Sequence, residues 1–452
     1  MSRDGVRVRL KPPSARVAVV AWHPMSHGDG SRVAELQMRL FNTCATTGAA
    51  MSEISYAGAA ALLAVPLTAY STAAILARKF APSKIEEGSR VNCIDGLRGY
   101  LAISVLAFHF IMNWNLIRLG RWEDPTWSVV LTNIGPVPVR LFFMITAFLF
   151  YGKLVRSRGM IDWSSLYIGR VFRLTPMYWI VVALMALVAF WHMNFTLTVS
   201  LFDVCKSLAS WLAFTLFGEP LIDGYNQTSY IPAGAIWTLR YEWAFYFLLP
   251  TIALVIRQYG GLQRSRIAAI LVAILASKFV RNYSIWGFWL NLGSPFLLGM
   301  LCYELTLIPP LTKLARSSAA SALVLGSGVG LLITPYLSQW SLFNLLLFTA
   351  FFPISAGNTV FGILTLWGSK VLGNASYSIY ILHGTVLHVL FQNMPGAASD
   401  ELGWLWLLLP AVTAAVTAIS ILLYHAIELP FIQFGKRATE KAPLAEPVET
   451  RF

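Results

Sequence analysis

The stretch "DGLRGYLAISVLAFH", residues 95–109, puts an arginine, ten residues and a histidine into an otherwise apolar run. Eleven positions separate Arg98 from His109. At about 100° per residue that is three turns plus about 20°, so the two side chains share one helix face about 16 Å apart along the axis. This geometry suits a long ligand held at its charged end by Arg98, with its reactive end beside His109. An ionisable group at membrane depth is costly and marks a functional site by default. The plain alternatives are an Arg98 that snorkels to the surface and a His109 satisfied by a neighbouring helix. Arg170 and Arg173 in "YIGRVFRLTPMYW" are three residues apart, hence neighbours on one helix face. Two guanidinium forks there would hold phosphate, or would simply anchor the chain at the inner surface. Pro176 is expected in the first turn of a span starting near Leu174, which would fix the pair at the membrane surface. Glu242, in "WTLRYEWAFYFLLP", lies in an apolar segment with Arg240 close by and Tyr246 one turn on. It would orient a histidine, hold a substrate hydroxyl, or pair structurally with an arginine. His383 closes "SYSIYILH", and "YHAIELP" sets His425 and Glu428 three residues apart. Arg140 reads most simply as a snorkelling residue at the outer end of its span.

The elements that must position these groups are membrane helices. Over 452 residues, 57% are hydrophobic and only 12% charged, with a mean hydropathy of +0.63. That composition gives an all-α polytopic membrane protein. A net charge of +13 would suit nucleic acid, but Lys and Arg sit in short clusters between apolar runs, as the positive-inside rule requires. No nucleic-acid partner is expected. The four cysteines are scattered without metal or disulfide spacing, so no metal site and no resident cofactor are expected.

An N-terminal helix is expected at about 56–77. Core spans follow at roughly 97–117, 137–152, 174–191, 235–256, 267–283, 286–304, 319–336, 342–364, 375–394 and 404–427, about ten at the twenty or so residues needed to cross. Alternation from an inside start puts Arg170/Arg173, Arg257/Arg264/Arg266, Lys313/Arg316, Lys370 and Lys436/Arg437 in the cytosol. The parity holds if residues 200–218, which carry Asp203 and Lys206, form an interfacial or re-entrant helix on the outer side. The chain begins with an N-terminal extension, 1–50, expected to be unstructured or non-native with the working chain starting at Met51, a cleaved signal peptide being the weaker alternative. A helix and cytosolic linker (51–90), the membrane core (91–432) and a cytosolic tail (433–452) follow.

Taken in order, "IDGLRGYLAISVLAFHF", "VRLFFMITAFLF", "RVFR", "WTLRYEWAFYFLLP", "SYSIYILH" and "IELP" resemble the acyltransferase 3 family of bacterial inner-membrane O-acyltransferases, whose best-known members acetylate O-antigen of lipopolysaccharide. The resemblance spans roughly residues 91–432. It implies ten core helices with both ends cytosolic, an acyl-CoA donor, usually acetyl-CoA, and a saccharide or lipid-linked glycan acceptor on the outer side. It also implies that the family's essential Arg and His fall on Arg98 and His109, its RxxR on Arg170 and Arg173, and its glutamate on Glu242. Two departures stand out. Thr146-Ala147 replaces the usual Ser-Gly, which puts close helix contact there in question, and Arg240 adds a charge before the glutamate that bears on acceptor recognition. No hydrolase-like domain is expected after the core.

The resulting expectation is a multi-pass inner-membrane enzyme that passes an acyl group, acetyl foremost, from cytosolic acyl-CoA to a hydroxyl of an envelope or exported saccharide. Arg98, Arg170 and Arg173 would bind the donor. His109 would act as general base or transient acyl carrier, with Arg98 and Glu242 beside it as catalytic groups. Glu242, Tyr246 and His383 would contact substrate. The rivals are a transporter or flippase of a lipid-linked saccharide, which predicts paired, Gly/Pro-interrupted halves, and a structural or assembly membrane protein.

Overall fold

A chain this apolar must satisfy its backbone polar groups within each segment, and helices do so without partners. The computed structural model describes residues 56–78, 92–125, 128–259, 261–283, 287–335, 340–394 and 405–439. The expectations for residues 1–50, the linker before residue 91 and the tail beyond residue 439 lie outside the described residues. Within them every regular element is helical: α1 Tyr56–Ala77, α2 Asn92–Leu119, α3 Val129–Asn133, α4 Pro136–Arg156, α5 Trp163–His192, α6 Leu201–Leu212, α7 Trp237–Tyr259 and α8 Gln263–Tyr283. After these come α9 Gly287–Thr306, α10 Pro309–Ala315, α11 Ser318–Ile333, α12 Trp340–Ser355, α13 Trp367–Asn374, α14 Ser376–Gln392, α15 Leu405–Leu423 and α16 Leu429–Thr439.

Six helical stretches among the described residues are long and apolar enough to cross a membrane, or seven if the α9–α10 pair, bent by 108°, counts as one span. They are α1, α2, α3 with α4, α5, α7, and α15 with α16. The sequence led to about ten core spans of roughly twenty residues, and the structure explains the difference. Of the other expected spans, α8 carries Arg264, Arg266, Lys278 and Arg281, α11 and α12 have 16 residues each, and α14 has 17. The span expected at 342–364 ends at Ser355, because Pro353 withholds a backbone donor and Gly357 turns left-handed at φ +102°. Helix α6, at 12 residues, rises about 18 Å and is too short to cross about 30 Å of hydrocarbon.

Helix α5 departs most from expectation. It begins at Trp163, where Asp162 accepts from the Ser165 amide at 3.1 Å as an N-cap, and runs 30 residues. Arg170 and Arg173 therefore lie inside this helix rather than before it, and Pro176 sits mid-helix. At about 45 Å the helix is longer than the hydrocarbon is thick.

Small residues let the helices approach. Ala61, Val65, Ala69, Ala73 and Ala77 form a buried stripe at every fourth position of α1, which packs on α15 and α13. A Cβ at Gly373 would lie 2.0 Å from the Asp95 carbonyl oxygen, so α13 presses directly on the start of α2. The close contact questioned at Thr146-Ala147 is made from the other side: a Cβ at Gly299 of α9 would meet the Met144 carbonyl oxygen at 2.3 Å. Arg140 is buried rather than snorkelling, over the Phe343 ring at 5.6 Å and donating to the Pro136 carbonyl at 3.1 Å.

Candidate active site

Helices α2 and α14 bring two histidines together from positions 274 residues apart, with His109 Nδ1 2.8 Å from His383 Nε2. The protons of this pair follow from its surroundings. His383 Nδ1 lies 3.1 Å from the Ile379 carbonyl, and a carbonyl only accepts, so Nδ1 carries the hydrogen and Nε2 offers a lone pair. His109 Nδ1 must then donate to it. A neutral His109 is left with its lone pair on Nε2, the nitrogen not used in the pair. His383 is fully buried, whereas His109 is only half-buried. The indole of Trp122 lies over the His109 ring at 6.2 Å between centroids.

One turn towards the start of α14, Tyr380 lies edge-on to His383 at 6.0 Å. Its hydroxyl is 3.0 Å from Thr238 Oγ1 and donates to the Ala235 carbonyl at 3.2 Å, tying α14 to the start of α7. The next turn carries Tyr377, bonded to the Leu174 carbonyl at 2.8 Å, and Ser378, which donates to Glu428 Oε2 at 2.8 Å. Helix α14 thus forms a spine from the histidine pair to a charged cluster at its other end.

That cluster holds the three arginines singled out above. Arg98 pairs with Asp95 at 3.8 Å and lies in the fields of Arg173, Glu428 and Glu242. Glu242 accepts a hydrogen bond from Tyr246, which Arg170 also faces. Arg170 stacks over Phe150 at 5.1 Å. The structure therefore places Glu242 and Tyr246 beside the arginines. Tyr246 is fully buried, and the partner of His109 is His383, not Glu242. Arg240, the extra charge, is taken up by an ion pair with Glu219.

Glu428 was legible in the sequence only as part of a motif. It is fully buried at the end of a widened π-helical turn, Tyr424–Glu428, facing Arg173 and Arg98. Its second oxygen, Oε1, takes no hydrogen bond among the described residues. Such turns occur frequently at functional sites, and the carboxylate sets a negative charge among the arginines. The available signal was a lone acid between apolar residues in "YHAIELP".

The acyltransferase domain family model matches residues 91–425, a stretch that contains every residue just described except Glu428. The chain belongs to the acyltransferase 3 family. Within the family it is similar to nodulation protein 10 of Rhizobium leguminosarum bv. viciae, 27% identical over 202 residues, 43% of this chain and 52% of that protein. It is also similar to the putative peptidoglycan O-acetyltransferase YrhL of Bacillus subtilis (strain 168), 25% identical over 194 residues, 41% of this chain and 27% of that protein. The matched region thus spans about half of one curated relative and about a quarter of the other. No solved structure matches the chain significantly. Family and apolar helices together make this acyltransferase-family chain a multi-pass membrane protein.

Proposed function

We propose that the protein is an O-acyltransferase of the bacterial inner membrane that moves an acyl group, acetyl foremost, from cytosolic acyl-CoA to a saccharide hydroxyl presented from the outer side. In this reading the full core has about ten spans with both ends cytosolic, the shorter helices α11, α12 and α14 crossing with the rest as the positive-inside alternation requires. The observation that carries the proposal is the polarity of the histidine pair. The Ile379 carbonyl fixes His383, His383 fixes His109, and the Nε2 lone pair of His109 is left as a base on the helix that carries Arg98.

Arg98, Arg170 and Arg173 hold the donor's phosphates at one end of this helix. The acyl-bearing arm then reaches about 16 Å along α2 to His109. As the acceptor hydroxyl oxygen attacks the thioester carbonyl, its proton passes to His109 Nε2. The C–S bond breaks, and the CoA thiolate leaves and recovers the proton. A thioester has a good leaving group, so positioning and the removal of one proton are the main demands. His383 is neutral, and a neutral partner is enough for a base that need only accept a proton transiently. The family match and the O-acetyltransferase relative favour transfer over transport.

Two measurements test the reading. Envelope glycan from a strain lacking the gene, compared by NMR with wild type, should have lost one acyl signal, which would name the acceptor and the acyl group together. CoA added to the detergent-solubilised protein should raise its thermal midpoint. Identical glycans together with no response to CoA would refute acyl transfer.

A further inference from the structure

We propose that Glu428 is a donor-binding residue: its Oε1 accepts a hydrogen from the hydroxyl-and-amide arm that joins the donor's phosphates to its thioester, while Arg173 and Arg98 take the phosphates. The inference rests on the acyl-CoA reading above and deepens it, assigning a contact to the middle of the donor. Glu428 lies three residues beyond the matched acyltransferase domain.

The Ser378 hydroxyl donates to Glu428 Oε2 at 2.8 Å. Ser378 precedes His383 by five residues on α14, a rise of about 7.5 Å. Helix α14 packs on α2 and runs the same way along it, with Tyr377 and Ser378 at the arginine end and His383 against His109. By helix rise, the carboxylate stands midway along the path of about 16 Å between Arg98 and His109.

Buried polar atoms are nearly always hydrogen-bonded. Glu428 is fully buried, yet its Oε1 takes no hydrogen bond among the described residues. Arg173 and Arg98 face the carboxylate, and among the described residues neither forms a contact ion pair with it. Arg173, half-buried, makes no hydrogen bond to any described residue. Opposite charges away from bulk water attract strongly, so a separation kept between them needs support. Ser378 supplies part of it by holding Oε2. The widened turn supplies the rest: the Leu429 amide reaches back five residues to the Tyr424 carbonyl, and Pro430 follows with no amide to offer. An acceptor and a guanidinium thus face each other, each with bonds to make and neither making them to the other.

A ligand that satisfies both needs anionic oxygens for the guanidinium and, a few atoms further on, an O–H or N–H for the carboxylate. The arm of CoA has this order: phosphate, a hydroxyl, two amide N–H groups, then sulfur. A hydrogen bond from the arm to a buried carboxylate is charge-assisted and stronger than one between neutral groups. The same charge repels a phosphate placed too deep. The carboxylate therefore sets the donor's register, with phosphates held at the arginines and the thioester carried on to His109.

The test measures binding of two ligands to the full chain in lipid nanodiscs: CoA, and 3′-phosphoadenosine 5′-diphosphate, which has all of CoA's phosphates and no arm. Glu428→Ala should weaken CoA binding about tenfold and leave the armless nucleotide at wild-type affinity or tighter. The KM for acetyl-CoA should rise by the same factor, with the KM for glycan unchanged. Glu428→Gln keeps an oxygen that accepts a hydrogen but loses the charge, so it should recover part of the CoA affinity. It carries the test if Glu428→Ala is not folded by size-exclusion chromatography, and should then still bind CoA more weakly than wild type with the nucleotide unaffected. Wild-type CoA affinity in the folded variants would overturn the proposal. So would an equal loss for both ligands, which would make Glu428 a support of the arginines and not a contact of the arm. If the wild-type protein binds neither ligand, the acyl-CoA reading fails first and the contact falls with it.

Discussion

Replacing His383 with alanine removes the acceptor of the 2.8 Å bond from His109 Nδ1. Two consequences follow. The Nδ1–H of His109, on a half-buried ring, loses its 2.8 Å partner, at a cost of about 1–3 kcal/mol. His109 is also no longer held by His383 in the Nδ1–H tautomer, so the share of rings with the proton on Nε2, where it blocks the base, rises. Both effects act on the reacting form of His109 and leave the arginine end of the site intact. Converted to rate, the loss is about 5- to 150-fold in kcat, with the KM for acetyl-CoA preserved. The assay is steady-state transfer of labelled acetyl to glycan in nanodiscs. His383→Gln should recover part of the loss, because its amide oxygen can occupy the position of the ring Nε2 and accept from Nδ1–H. The reasoning is refuted if His383→Ala retains wild-type kcat, or if its defect lies wholly in the donor KM.

Other outcomes follow from the same structure. If these arginines hold the donor as proposed, Arg173→Ala and Arg170→Ala should raise the KM for acetyl-CoA about tenfold or more and weaken CoA-induced thermal stabilisation, each losing a charge-assisted phosphate contact; lysine at either position should restore little, lacking the planar fork. Gly384→Val should lower the thermal midpoint and cost about 1–3 kcal/mol or more, because even a Cβ meets the Pro232 backbone at 2.2 Å. Glu304→Ala should destabilise by about 3–5 kcal/mol: the buried carboxylate holds Arg266 at 2.7 and 3.0 Å and Tyr151 at 2.6 Å. Its defect should appear as lost folded protein in size-exclusion chromatography, with the donor KM of the surviving fraction unchanged.

The helical class and the shared face of Arg98 and His109 were legible because both rest on local periodicity. So was the proximity of Arg170 to Arg173. What the sequence hid has specific causes. Hydropathy stops at a charge, so α5 was read as starting near Leu174 although its cap at Asp162 lies three turns earlier. The helix of residues 342–364 was read too long because apolar residues continue past Pro353 and the left-handed Gly357. The pairing of His109 with His383 is purely tertiary, joining positions far apart in the chain through packing that no local pattern encodes. For Glu242 the residue type left a histidine, a substrate hydroxyl or an arginine open as partner, and α7 delivers it beside the arginines.

The central claim is that His109 performs acyl transfer with a donor anchored at Arg98, Arg170 and Arg173. Its most direct test is transfer of label from acetyl-CoA into glycan by membrane vesicles containing wild-type protein or His109→Ala, with membrane insertion and CoA-induced stabilisation matched between the two. The account predicts labelled glycan from wild type and none above background from the variant. Full transfer by a normally inserted His109→Ala would contradict it.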